Sequence, residues 1–392
     1  MNEYKYLIVG GGMTTGAAID GIRSVDKEGR IGLITAEADG PYDRPPLTKD
    51  LWKGDKQVAD IRYEIPAGVE LFTERQVTAL DLAQKQVIDA EDRVYRYDKL
   101  LLATGGAPNR LSFDEENMII YYRTLRDYQQ LQKLAAQYNK FTVIGGGFIG
   151  SELAAALRLN GKEVTLLFPE DAICTRLFPP DVAGFLNRYY ESKGVHVLPG
   201  TKVREIQGSH GAYRLLTNEG AEIETEIVVA GIGIHPNTQL AEMAGLQVDD
   251  GIVVNSALQT SAPDIYAAGD AAKFTDKLLG EWRRVEHEDN ALSMGKAAGR
   301  AMAGANISYD YSPMFYSDLF DIGYEAVGEL NAGLDILIDW QEEYEKGVIY
   351  YLKDQKVRGV LLWNVWDQVE AARQLIATGK TWRAEELRGQ IG

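Results

Sequence analysis

One cysteine, Cys174, is all the sulfhydryl chemistry that 392 residues carry. A single thiol excludes any disulfide within the chain and any Cys-x-x-Cys redox pair, and it either marks a reducing compartment or is silent on the matter. Positive charge is also in short supply: 41 Lys and Arg stand against 58 Asp and Glu, a formal net charge of -17. That balance disfavours nucleic acid as a partner, because polyphosphate binding draws on a basic surface. No apolar run approaches the roughly 20 residues that span a bilayer. The N-terminus leads directly into an apolar strand pattern, Tyr6-Leu-Ile-Val, and shows no basic, apolar leader. The expectation is a soluble, cytoplasmic protein with no membrane span. Its length and 45% hydrophobic content suit two or three globular domains.

What the chain has in abundance is glycine at the ends of apolar runs. Phe141-Thr-Val-Ile-Gly-Gly-Gly-Phe-Ile-Gly-Ser-Glu152 reads as a strand, a tight turn and the start of a helix. Gly145, Gly147 and Gly150 fit G-x-G-x-x-G, in which bare backbone at a helix N-terminus receives a pyrophosphate. Phe148 and Ile149 belong to the same turn. The next strand, in Lys162-Glu-Val-Thr-Leu-Leu-Phe-Pro-Glu170, ends in the acid that would hold a ribose diol. A carboxylate there repels a 2′-phosphate, so Glu170 favours NADH over NADPH.

A second copy of this pattern opens the chain. Tyr4-Lys-Tyr-Leu-Ile-Val-Gly-Gly-Gly-Met-Thr-Thr-Gly supplies Gly10 and Gly12, but Thr15 takes the place of the third glycine. The first helix is therefore expected slightly further from its strand. Ile31-Gly-Leu-Ile-Thr-Ala-Glu37 again ends in an acid. Two complete fingerprints, each with strand and acid in place, are far more specific than one. Ser261-Ala-Pro-Asp-Ile-Tyr-Ala-Ala-Gly-Asp270 adds a strand ending in Gly-Asp, which suits a carboxylate that accepts a ligand hydroxyl.

Between these units the chain resembles a known family. Pro41-Tyr-Asp-Arg-Pro-Pro-Leu-Thr-Lys-Asp-Leu-Trp52 is similar to a segment of apoptosis-inducing factor and of related flavin reductases, including monodehydroascorbate reductases and oxygenase-type ferredoxin reductases. Tyr97-Asp-Lys-Leu-Leu-Leu-Ala-Thr-Gly-Gly, Tyr121-Tyr-Arg-Thr-Leu-Arg-Asp, Ala230-Gly-Ile-Gly-Ile-His-Pro-Asn237, Arg283-Arg-Val-Glu-His-Glu-Asp-Asn and Met314-Phe-Tyr-Ser-Asp-Leu extend the resemblance. It is dense from residue 4 to about 330 and loose beyond.

The resemblance implies an α/β fold of two Rossmann-like, glutathione-reductase-like dinucleotide-binding domains and a smaller α+β C-terminal domain. The FAD-binding domain would be discontinuous, residues 1–112 and 234–305, with NADH bound by 113–233 and the C-terminal domain at 306–392. It places Arg44, Val77, Ala103, Thr104, Gly105 and Arg123 beside FAD, and Lys49 near the flavin N5, where a cation would stabilise negative charge on the reduced ring. For Arg44 and Lys49 the plainer alternative is a solvated loop, and for Arg123 a helix-start charge. Glu152 would pair with Lys49 between domains. Glu286 and His287 would reach the isoalloxazine and nicotinamide, with Glu288 and Asn290 standing where relatives carry histidines. Gly233 would admit backbone close to NADH, Tyr316 stands where a tryptophan is common, and Glu325 would meet the nicotinamide amide. Phe148 is a candidate gate over the flavin, or equally a core phenylalanine. His235 has no assigned chemistry, Cys174 reads as inert, and Trp363 and Trp366 read as core.

The activity implied is hydride transfer from NADH to FAD, with Lys49, Glu152, Phe148 and His287 at the reacting centre. Electrons would leave over the flavin edge to a ferredoxin, a quinone or dioxygen, since no thiol is there to take them. The alternative is a slow NADH-sensing flavoprotein whose redox state controls conformation or dimerisation, so a homodimer is one expected assembly. No metal site is expected.

Overall fold

The computed structural model describes residues 2–391. The chain divides into two compact units, the first built from Met1–Arg44, Val58–Ala107 and His235–Phe315, the second from Pro45–Gln57, Pro108–Ile234 and Tyr316–Gly392.

The first unit is organised on a parallel sheet in which Val69–Phe72, Ile31–Ile34, Asn2–Val9 and Val94–Leu102 lie side by side, with Ile265–Ala267 against the last. Leu7, Ile8, Leu33, Leu100 and Leu101 have no exposed surface, as strands covered on both faces require. Burying each stabilises the fold by about 1.5–3 kcal/mol relative to exposure. Val77–Asp81 and Gln86–Asp89 add an antiparallel meander to the N-terminal half of Val94–Leu102. On this sheet lie the helices Met13–Arg23 and Glu288–Met302. They approach backbone to backbone, since a Cβ built on Gly299 would stand 2.1 Å from the Ala18 carbonyl oxygen, and one on Gly295 2.4 Å from that of Thr14.

The second unit repeats the strand order. Val195–Leu198, Glu163–Leu167, Lys140–Ile144, Ile227–Ala230 and Ile120–Tyr121 form a parallel sheet, with the antiparallel trio Val203–Ser209, Ala212–Thr217 and Glu222–Thr225 beside it in sequence. In both sheets the strand that carries the glycine turn is central, with the later strands added on opposite sides of it. A ligand is expected at such a switch point, outside the strands' carboxyl ends.

A five-stranded antiparallel sheet, in the order Met314–Leu319, Ile322–Gly328, Lys356–Trp363, Lys346–Lys353 and Asp335–Glu342, carries the C-terminal end of the chain with the helix Val369–Ala377. Trp363 is fully buried there and packs edge-on against Phe178, as expected of a core residue. Trp366 departs from that expectation: it is 48% exposed. It follows the end of its strand, and its ring lies over Gly323, where an added Cβ would meet the indole at 2.4 Å.

The contact between the two long helices of the first unit generates a prediction. Gly299→Val forces a branched side chain into the Ala18 carbonyl, and the strain should cost about 3 kcal/mol. Urea denaturation should show the midpoint falling with an unchanged slope.

Candidate functional site: two glycine cradles and a buried ion pair

In each unit the first glycine lies against the strand next door. A Cβ on Gly10 would stand 1.9 Å from the Ala103 carbonyl oxygen and one on Gly145 2.4 Å from that of Gly231; both glycines have positive φ, 133° and 116°. The middle glycines are different. Gly147 would place a Cβ in open space, and Gly12 would find only the Arg44 Nε at 3.9 Å. Each is the N-cap of its helix, and neither helix receives a side-chain cap. The space beside each N-cap is thus open, and among the described residues no side chain caps either helix, which suits a pyrophosphate.

The third positions solve one packing problem in two ways. Gly150 meets the Gly145 carbonyl so closely that a Cβ would stand 1.8 Å from its oxygen. Thr15, five residues after Gly10 as Gly150 is after Gly145, donates its hydroxyl to the Gly10 carbonyl at 2.8 Å and is fully buried. A side-chain bond holds the first helix to its turn where the second uses bare backbone.

Around the first cradle, Glu37 accepts from the Tyr42 hydroxyl at 2.5 Å and pairs with Arg44 at 2.5 Å. Arg44 is therefore ordered beside the turn and is not a solvated loop residue. Gly269 packs its turn on Thr14, placing Asp270 at the head of the first helix. Thr104 donates to the Asn237 carbonyl at 2.7 Å, and Asn237 donates back to Thr104 and Gly105, so the segment Ala103 to Gly105 is pinned. Val77 begins its strand half-buried, opposite Asp89. Glu286 is exposed and tied to Arg284. His287 is the N-cap of the helix Glu288–Met302, its ring stacked on Phe315 at 4.4 Å. Burial pushes the imidazole down to about 4, with Asp270 opposing the shift and Arg283 adding to it. Asp289 accepts from the Tyr311 hydroxyl and the Met314 N–H, an architectural role at the helix start.

In the second unit, Glu170 is half-buried, with Arg176 at 3.9 Å. Phe148 and Ile149 begin the helix, Phe148 half-buried and Ile149 at the surface. Gly233 takes φ 85° and accepts from the Asn109 N–H. The Arg123 and Thr124 N–H groups are both capped by Asp127 at the start of Leu125–Ala135, with Arg123 half-buried. Glu325 has one buried carboxylate oxygen with no partner among the described residues, and burial, reinforced by Asp367, raises its pKa.

The centre of the second unit is an ion pair. Lys49 Nζ lies 2.6 Å from Glu152, and both are over nine-tenths buried. The pair expected between these residues is present, but both partners belong to one compact unit instead of facing each other across a domain boundary. The segment that carries Lys49 is fastened locally: Trp52 Nε1 donates to the Leu47 carbonyl, Asn160 Nδ2 to that of Trp52, and the Tyr122 hydroxyl to that of Leu47. The ammonium also lies 5.4 Å from the Tyr316 ring centroid. Two hydroxyls complete the group: Thr48 donates to Glu152 Oε2 and Ser317 to Oε1, each at 2.5 Å. Sequence reasoning passed over both, although each adjoins a residue it singled out, and a hydroxyl beside a buried charge was the available signal. Cys174 takes φ 52°, and burial, with Glu152 adding to it, pushes its thiol up to about 12. Among the described residues no group of His, Cys, Asp and Glu could hold a metal, and no helix is long and apolar enough to cross a membrane.

Comparison with known proteins extends these observations. The family model described as pyridine nucleotide-disulphide oxidoreductase matches residues 4–295, and that for the C-terminal region of apoptosis-inducing factor matches residues 336–378. The likeness thus continues beyond residue 330, where it had looked loose. Mitochondrial apoptosis-inducing factor 1 of Dictyostelium discoideum is 35% identical over 97% of this chain and 80% of its own. Monodehydroascorbate reductase 3 of Arabidopsis thaliana is 35% identical over 92% of this chain and 89% of its own. Among solved structures, the covalent putidaredoxin reductase–putidaredoxin complex is 32% identical, with a TM-score of 0.89 over 98% of this chain and 95% of that chain.

His287 and Glu170 can each be tested. A histidine held neutral in the fold loses stability to the unfolded chain as pH falls from about 6.5 to about 4, because only the unfolded form takes up the proton. His287→Gln should flatten the decline in urea midpoint between pH 7 and pH 5. If Glu170 holds the ribose of NADH, Glu170→Ala should narrow a preference for NADH over NADPH about tenfold in kcat/KM, chiefly by lowering KM for NADPH.

Proposed function

The chain belongs to the pyridine nucleotide-disulphide oxidoreductase family, and on that footing we propose that it passes hydride from NADH to FAD and sends the electrons on to a non-disulfide acceptor, a quinone or a ferredoxin. An NAD(H)-dependent flavoprotein oxidoreductase that hands electrons to an acceptor is the activity the family carries. The acceptor and the roles of individual residues are the proposal. Its supporting observation is a pair of open glycine cradles in a chain whose only thiol, Cys174, is held protonated by burial.

FAD, when bound, accepts hydride and can release electrons singly. In this reading residues 1–112 and 234–305 bind it, 113–233 bind NADH, and 306–392 form the C-terminal domain. Gly10 and Gly12 leave the opening N–H groups of the first helix to its pyrophosphate, Glu37 holds a ribose, and Asp270 accepts a ribityl hydroxyl. Arg44, Val77, Ala103, Thr104, Gly105 and Arg123 line the same ligand. Gly145, Gly147, Gly150, Ile149, Glu170 and Gly233 do the equivalent for NADH. Phe148 covers the nicotinamide site, Glu325 offers its unpaired oxygen to the carboxamide, and Glu286, His287 and Tyr316 border the ring system. Lys49, fixed by Glu152, brings a positive charge to the place where negative charge develops, and a neutral His287 adds none.

The net charge of -17 bears on the acceptor. An acidic ferredoxin would have to dock against like charge unless a local basic patch received it, whereas a neutral quinone meets no such barrier. The match of residues 336–378 to the C-terminal model of apoptosis-inducing factor favours a second reading, a slow NADH sensor whose redox state alters conformation or dimerisation. Stopped-flow reduction by NADH, followed by reoxidation with quinone, ferredoxin, dioxygen or a disulfide, separates these. Rapid turnover with quinone and none with disulfide is the expected result. A long-lived reduced complex with a changed hydrodynamic radius supports the sensor, and fast disulfide reduction overturns both. Lys49→Met should slow reduction by NADH about 100-fold.

A further inference from the structure

Glu152 is a carboxylate with three donors drawn from two distant stretches of chain, residues 48–49 and Ser317. Lys49 Nζ and Ser317 Oγ reach Oε1 at 2.6 and 2.5 Å, and Thr48 Oγ1 reaches Oε2 at 2.5 Å. All four residues are buried, Ser317 completely. Thr48 has another acceptor within reach, the Pro45 carbonyl at 3.3 Å, but the carboxylate is much the closer. The phenol of Tyr324 is buried beside Ser317 and within the field of Glu152. Neither hydroxyl is needed to build its own element, for Ser317 lies within the strand Met314–Leu319 and Thr48 between two short helical turns.

A buried carboxylate with one cation as its only donor draws that cation in tightly, because nothing else replaces the water it lost. Hydroxyl donors change this. Each occupies a lone pair, fixes the rotation of the carboxylate and disperses its charge, so that the ammonium is held at one of its protons and not engulfed. We propose that Thr48 and Ser317 are positioning residues for Lys49: by filling the lone pairs of Glu152 they moderate its pull and leave the remaining lysine protons to act on the flavin. This rests on the reading that Lys49 stands beside the flavin. Removing either hydroxyl leaves more of the Glu152 charge to be balanced by Lys49 alone, weakens the positive field on the reduced ring and makes the flavin harder to reduce.

The test is the midpoint potential of the bound flavin, measured by dye equilibration in Thr48→Val, Thr48→Ser, Ser317→Ala and Lys49→Met, each with its flavin content checked by absorbance. A lost hydrogen bond to a charged group is expected to change the reduction equilibrium about tenfold, equivalent to about 30 mV for a two-electron couple. Thr48→Val and Ser317→Ala should each lower the potential by about that amount, while Thr48→Ser, which keeps the hydroxyl, matches the parent. Thr48→Val is nearly isosteric, so the Val and Ser pair decides the matter even if Ser317→Ala fails to fold. A lower melting temperature with an unmoved or raised potential in Thr48→Val, where Lys49→Met does shift it, overturns the positioning role alone. A potential indifferent to Lys49→Met as well removes the reading of Lys49 and the role of its supports together.

Discussion

A helix can offer its first N–H groups to an anion only if no side chain stands where the anion must lie, and that constraint shapes both units of this chain. Gly12 and Gly147 are N-caps with no side-chain cap, and the space beside them is open. The glycines before them matter for another reason: Gly10 and Gly145 take positive φ and press against the carbonyls that follow the neighbouring strands. Strand order, turn and helix are thereby locked into one arrangement. A parallel sheet whose order reverses at this strand leaves the cradle open at its carboxyl edge, and everything proposed for the two nucleotides follows from that opening.

Lys49 and Glu152 extend the same logic from shape to charge. Two desolvated charges repay the cost of leaving water only with good geometry and further hydrogen bonds. Here the bonds are supplied by Thr48 and Ser317, and the geometry by fastening residues 45–57 within the second unit through Trp52, Tyr122 and Asn160. Breaking such a pair by removing one partner costs about 3–5 kcal/mol, so the lysine is held by stability as well as by any service it performs.

The glycine turns, their strands and their terminal acids were legible because each is a local pattern, complete within about 30 residues. Thr15 was legible as a departure, but not its bond to the Gly10 carbonyl, which depends on how the helix closes onto its turn. The Lys49–Glu152 pair could be expected only through resemblance, since 103 positions separate the partners, and Ser317 lies 165 from Glu152. Trp366 misled because an aromatic run ending a strand resembles core, whereas only the last turn of chain decides which ring remains inside. The membership of residues 45–57 in the second unit was invisible for the same reason: its anchors are side chains from sequence far away.

The two acids of the cradles are held differently, and the difference bears on how the two nucleotides would be used. Glu37 is committed before any ligand arrives, with Arg44 on one oxygen and Tyr42 on the other. Its orientation costs nothing further when a ribose meets it, which is what a permanently bound group requires. Among the described residues the side chain of Glu170 pairs with an exposed Arg176 at 3.9 Å, a contact that contributes little in water. A ligand there must itself order the carboxylate, and that cost weakens binding and speeds release. The asymmetry runs in the direction that a resident FAD and an exchanging NADH demand.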